Sequence, residues 1–252
     1  LDLLGFERPA ALTSRSAGLV GLIVPELRNL VFPRFAQVIE DVLSRQHFTP
    51  VLCTQTPGGV TEDEYIAMLL ERNVAGIIFV SGAHASVTAD RGRYERLRER
   101  GLPIVFINGY VADIDAPFMS CDDASAIAIP VQHLHDLGHR RIGLAIGPAR
   151  YTPAKRKIAS FDASMRSIVG MDDPSTLIAT TDFSVDGGGI AAQTLISRGC
   201  TAIICGSDMM ALGVIRAVRT LGLDVPHDVS VVGFDNSAIL DFTDPPLTSV
   251  HQ

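Results

Sequence analysis

The side chains able to do chemistry fall into a few groups, and most of those fail on spacing. His133-Leu134-His135-Asp136-Leu137-Gly138-His139 has the residue types of a metal site. His133 and His135 are two apart, so on a helix they point in different directions. Gly138 ends the helical pattern before His139 can join the face of His135. A bound ion needs convergent ligands, so no metal is expected here. Gly187-Gly188-Gly189 is not followed by the Gly-Lys-Ser/Thr of a phosphate loop. No GxGxxG links a strand to a helix, no GxSxG elbow is present, and no nucleophile stands beside an evident base. The sequence points away from an enzyme, and no cofactor is expected. Lys155-Arg156-Lys157 is the most basic spot. It reads either as a subsite for an acidic or phosphorylated ligand or as a solvated helix face. What remains is a set of polar residues that each end or follow an apolar run: Pro25-Glu26, Ser81, Asn108, Gly147-Pro148, Ser207-Asp208 and Asp235-Asn236.

Those runs predict the elements that hold such residues in place. Leu19 to Val24, Pro50 to Cys53, Ala75 to Val80, Pro103 to Ile107, Ile142 to Ile146, Thr201 to Cys205 and Val229 to Phe234 are short, β-branched and unalternating. That is the pattern of parallel strands covered on both faces. Between them, Phe32 to Gln46, Glu62 to Arg72, Asp122 to Leu137 and Ser207 to Leu221 carry apolar residues at helical spacing. Thr61 with Glu64 predicts a capping box, Ser207 predicts an N-cap, and Gly138, Gly199 and Gly222 predict helix ends. Strand and helix in alternation give βαβ units and an α/β fold with parallel sheets. The expected arrangement is two Rossmann-like lobes, 18–116 and 117–246, with Asp113 to Phe118 as the crossing segment. Open parallel sheets bind ligands at the carboxyl ends of their strands, so a ligand cleft is expected between the lobes.

Composition narrows the classes further. Hydrophobic residues make up 47% and charged residues 19% of 252, enough to bury a substantial core. The apolar runs are too short to cross a bilayer. The stretch Leu1-Asp2-Leu3-Leu4-Gly5-Phe6-Glu7-Arg8-Pro9 has neither the basic nor the apolar region of a secretory signal. A net charge of −7 makes these residues poor partners for nucleic acid by themselves. Cys53, Cys121, Cys200 and Cys205 form no CxxC pair and read as reduced thiols of a cytoplasmic protein.

Several segments, in order and covering the chain, resemble the lactose-repressor (LacI) family of bacterial transcription regulators. Val225-Pro226-His227-Asp228-Val229-Ser230-Val231-Val232-Gly233-Phe234-Asp235 resembles the VPxDVSVVGFD signature. Leu137-Gly138-His139-Arg140-Arg141-Ile142, Ser207-Asp208-Met209-Met210-Ala211-Leu212-Gly213 and Pro245-Pro246-Leu247-Thr248-Ser249-Val250 resemble its LGHRRI, NDxMALG and PPLTTV segments. Gly21 to Pro25, with Asn29 and Phe32, resembles the first strand and its ligand loop. Leu4 to Leu12 resembles the LGYRPNxxA lead-in that joins a helix-turn-helix headpiece to a hinge helix, represented here by Pro9 to Ser16.

The resemblance implies a periplasmic-binding-protein type I-like core that binds a small-molecule effector and controls DNA binding. Residues 1–17 would be the remnant of the headpiece and hinge, and 247–252 a crossover strand. The implied effector contacts are Asn29, Phe32 and Asn108 in the first lobe. In the second they are Asp122, Asp123 or Ser125, then Tyr151, Lys157, Phe183, Ser207 and Asp235. Lys157 stands where the family usually has Arg, which puts a forked contact there in doubt. Phe183 would stack on the ligand. The implied effector is a sugar, sugar acid or sugar phosphate, more than a purine. The implied partners are operator DNA through the headpiece and a second copy of the chain, contacting along Glu71 to Val74, Leu212 to Arg219 and Phe242. The alternative is a periplasmic sugar-binding protein, which would share the fold without the lead-in.

Overall fold

A computed structural model of the chain describes residues 18–56 and 58–252, so the lead-in at 1–17 lies outside the described residues. The chain divides into two units between Ser120 and Cys121. The first runs β1 (Leu19–Pro25), α1 (Val31–Arg45), β2 (Thr49–Gln55), α2 (Glu62–Glu71), β3 (Gly76–Val80), α3 (Gly92–Glu99), β4 (Ile104–Ile107) and β5 (Phe118–Met119). The second runs α4 (Asp123–Asp136), β6 (Ile142–Ile146), α5 (Thr152–Ser164), β7 (Ile178–Thr180), α6 (Val185–Ser197), β8 (Ala202–Cys205), α7 (Asp208–Thr220), β9 (Ser230–Asp235) and β10 (Thr248–His251).

Each unit is an α/β fold on a five-stranded sheet, in the orders β2-β1-β3-β4-β5 and β10-β9-β8-β6-β7. Every ladder in both sheets is parallel. The crossing segment expected at Asp113 to Phe118 ends inside the first sheet, because Phe118 and Met119 pair with Phe106 and Ile107. The expected crossover strand pairs with β9, Ser249 opposite Gly233, as an edge of the second sheet.

Local sequence explains the ends. Thr61 accepts from the Glu64 amide while the Glu64 carboxylate accepts from the Thr61 amide, which closes the capping box on α2. Ser207 accepts from the Met210 amide at 3.3 Å and caps α7. In the first unit the core is aromatic: Phe79 and Phe106 stack at 5.2 Å, and Tyr94 meets Phe106 edge-on at 5.0 Å. In the second unit β6 is buried along its whole length. There α6 and α7 approach until their backbones touch. A Cβ at Gly188 would overlap the Met210 carbonyl, and one at Gly213 would overlap the Val185 carbonyl.

Gly213→Ala therefore forces the two helices apart. The expected cost is about 3 kcal/mol of unfolding free energy, read from urea denaturation. A loss below about 0.5 kcal/mol, the size of an ordinary surface change, would show that the contact is not tight.

Candidate functional site

The carboxyl ends of the second sheet gather charged groups that are out of water. Lys157 on α5 and Asp123, the first residue of α4, are both buried, with Nζ 2.6 Å from Oδ1. Nζ also stands 4.4 Å from the centroid of Phe234, the residue before the end of β9. Asp208, the first residue of α7, is 1% exposed. Its Oδ2 accepts from the Ser237 amide at 2.6 Å and its Oδ1 from the Ser249 hydroxyl at 2.7 Å.

Asp235 closes β9 with a φ of +107°. Its Oδ1 accepts from Gln252 Nε2 at 2.6 Å, and Gln252 Oε1 accepts from the Cys121 thiol at 2.9 Å. Its Oδ2 is buried and has no hydrogen-bond partner among the described residues. Burial first, and then the charge of Asp208, push the Asp235 carboxyl up to about 8, against the pull of Lys157 and of the Gln252 hydrogen bond. A buried polar oxygen left without a hydrogen-bond partner is costly.

The other residues implied by the resemblance divide into spent and available groups. Asp122 is the N-cap of α4: it accepts from the Ala124 and Ser125 amides and from the Ser125 hydroxyl at 2.6 Å. The Ser125 contacts, side chain before backbone, hold the Asp122 carboxyl below its ordinary value. These two exposed residues satisfy each other, whereas their neighbour Asp123 faces Lys157. Ser207 is buried and its hydroxyl accepts the capping hydrogen bond of α7. Tyr151 is half-buried against the core, with the Arg150 guanidinium 4.8 Å from its ring centroid.

Phe183 is half-buried at the strand ends. Gly147 after β6 has no side chain where the Phe183 ring lies, and a Cβ at Gly206 after β8 would be 3.1 Å from that ring. The basic run does not form one face: Lys155 is exposed, and Lys157 is buried with its charge matched. The group sequence reasoning passed over is Gln252 with Ser249, whose partners lie far away in the chain.

In the first unit, Asn108 follows β4 with a φ of +64°. Its Nδ2 donates to the Ser81 hydroxyl at 2.9 Å, and its carbonyl accepts from Nε2 of the buried His84 at 2.8 Å. Burial holds the His84 imidazole below its ordinary pKa. Asn29 Oδ1 accepts from the Val31 amide at 3.4 Å. Phe32 is half-buried and packs against the cluster of Leu22, Val24 and Val80.

Two segments expected elsewhere also have local roles. Ile215 is buried in its own unit, while Met209 and Leu212 are half-buried and Phe242 is 87% exposed. His139 Nδ1 lies 2.8 Å from the Thr201 hydroxyl and Nε2 lies 3.0 Å from that of Ser230, at the other end of the sheet.

Comparison with known proteins places this geometry. Residues 131–252 match the family model described as a periplasmic binding protein-like domain. An HTH-type transcriptional regulator from the aml 5' region of Streptomyces limosus is 58% identical over 100% of this chain and 72% of its own length. The chain belongs to the LacI family of transcription regulators. The HTH-type regulator MalR of Streptomyces coelicolor is 56% identical over 100% of this chain and 74% of its own length. A solved structure of the transcriptional regulator CelR in complex with cellobiose is 26% identical, with a TM-score of 0.79, over 94% of this chain and 73% of that one. The two parallel-sheet units are those of a LacI-type regulator core, and these relatives are regulators rather than enzymes.

The raised carboxyl of Asp235 makes a pH prediction. The folded state holds its proton up to about 8, while in the unfolded chain the group ionises near 3.8. Between those values the folded state binds the extra proton, so this group's contribution to stability falls as pH rises. Asp235→Asn removes that slope. Relative to the parent, the variant should gain stability progressively from pH 4 to pH 8 and no further above it, measured by urea denaturation across that range. A parent-minus-variant difference independent of pH would contradict the assignment.

Proposed function

We propose that this chain is the effector-binding core of a sugar-responsive repressor, and that its effector is a neutral sugar held at the carboxyl ends of the second unit's strands. The observation that carries this reading is the buried, unpartnered Oδ2 of Asp235. A sugar hydroxyl both donates and accepts, so it can pair with this oxygen in either protonation state of the carboxyl. The half-buried Phe183 ring, seated against Gly147 and Gly206, offers an apolar face of the kind a pyranose ring covers.

The charge of the site favours a neutral ligand. Lys157 is matched by Asp123, and the carboxylate of Asp208 stands close enough to act on Asp235. A sugar acid or sugar phosphate would bring negative charge towards the buried Asp208 carboxylate with Lys157 already paired. The cellobiose bound to CelR is likewise an uncharged sugar. With a net charge of −7, the chain leaves operator recognition to a headpiece outside the described residues. Effector binding controls DNA affinity to the extent that it favours one conformation of the core over another. The regulator works as a homodimer in the cytoplasm. The exposed Phe242 is an apolar surface suited to a second copy, and the buried cysteines are free thiols. No helix among the described residues is long and apolar enough to cross a membrane.

Isothermal calorimetry on the full-length protein with maltose, cellobiose, glucose 6-phosphate and gluconate tests this. A neutral sugar should bind, the two anions should not, and Asp235→Ala should weaken the neutral sugar by about tenfold or more. Tighter binding of either anion, or an unchanged Kd in Asp235→Ala, would overturn the reading.

A further inference from the structure

Asp208 makes no proposed contact with the effector, yet it is buried and both of its oxygens accept a hydrogen bond. Its Oδ2 accepts from the Ser237 amide at 2.6 Å. Its Oδ1 accepts from the Ser249 hydroxyl at 2.7 Å, and the Ser249 oxygen accepts in turn from the Asn236 amide at 3.1 Å. The contact needs Gly233, which pairs with Ser249 in the β9–β10 ladder: a Cβ there would overlap Asp208 Oδ1. One carboxylate thus ties together the start of α7, the turn 235–237 and β10.

That turn is strained. Asp235 has a φ of +107° and Asn236 a φ of +55°. Two consecutive residues with side chains keep left-handed conformations only where the surroundings over-determine them. The hydrogen bonds through Asp208 and Ser249 supply that constraint on the residues immediately after Asp235.

We infer that Asp208 is a positioning residue of the effector site: it fixes the turn after β9, and with it the direction in which Asp235 presents its unpartnered oxygen to a sugar hydroxyl. The inference rests on the reading of Asp235 as the effector's acceptor.

Charge gives Asp208 a second, separable effect. The groups facing Asp235 are Asp208 from α7, Lys157 from α5, Cys121 ahead of α4, and Gln252 after β10. His251 accepts at Nδ1 from Asn236 Nδ2 at 3.1 Å. Asp208 is the carboxylate whose charge, after burial, helps keep the Asp235 proton on to about 8. A protonated Asp235 can donate to a hydroxyl as well as accept from one. A purely architectural role predicts something else. A carboxylate at the first residue of a helix stabilises it through the N-terminal amides, and its loss would cost stability and nothing more.

The test titrates the Asp235 carboxyl carbon by NMR in the full-length protein and measures the Kd of maltose and cellobiose by calorimetry. Asp208→Asn removes the charge and leaves one acceptor oxygen where two are used, by the Ser237 amide and the Ser249 hydroxyl. The Asp235 midpoint should fall by about one unit and sugar binding should weaken by about tenfold. Ser249→Ala keeps the charge and cuts the link between Asp208 and the turn, so binding should weaken while the midpoint stays near the parent's. Parental Kd values in both variants, or a lower melting temperature with neither readout moved, would overturn the inference. If Asp208→Asn does not fold, the Kd of Ser249→Ala decides it. If neither sugar binds the parent, the effector reading is what fails. The titration then still decides whether Asp208 governs Asp235, and an unmoved midpoint overturns that link.

Discussion

A charge taken out of water must be matched, and the pairing of Lys157 with Asp123 at 2.6 Å is the match on which the end of the second sheet depends. Breaking such a pair leaves an uncompensated buried charge, at a cost of about 3–5 kcal/mol. With Lys157 committed, the remaining carboxylates have to be satisfied by other means. Asp208 takes an amide and a hydroxyl, and Asp235 takes one amide from Gln252 and holds its proton to about 8. After those assignments one oxygen is left over, Oδ2 of Asp235. The proposed effector contact rests on that remainder.

The two units use the same scaffold to place such groups. Reading each sheet from its second strand in chain order, β2-β1-β3-β4-β5 corresponds to β7-β6-β8-β9-β10. In that correspondence β4 and β9 occupy the same position. Each ends at a polar residue in the left-handed region, Asn108 with φ +64° and Asp235 with φ +107°. A parallel sheet buried on both faces makes the strand rigid, and the turn after it aims the side chain. In each case a buried group anchors the turn: His84 donates to the Asn108 carbonyl, and Asp208 holds the amide of Ser237.

The strands were legible because runs such as Ile142 to Ile146 are β-branched and buried on both faces. β5 and β7 were not, since two or three residues carry no pattern. α3 reads as a charged stretch because only Tyr94 and Leu97 of its eight residues are buried. At the site, Asp235 was visible as a polar residue ending an apolar run. The neighbours Asp122 and Asp123 were not separable, because a shift of one residue at a helix start decides whether a carboxylate caps the helix or turns inward. The same holds for Lys155 and Lys157, which differ only in helix phase. The ring through Ser249 joins residues 41 apart in sequence, and no local pattern reveals it. Its one trace is Gly233, a glycine inside an apolar strand, which signals close approach of another group.

The most direct measurement is a crystal structure of the full-length regulator grown with the neutral sugar that binds it. The account predicts a sugar hydroxyl within hydrogen-bonding distance of Asp235 Oδ2, with Lys157 still paired to Asp123 and the turn at 235–237 unchanged. A sugar bound elsewhere, or one contacting Lys157 after Asp123 has been displaced, would contradict it.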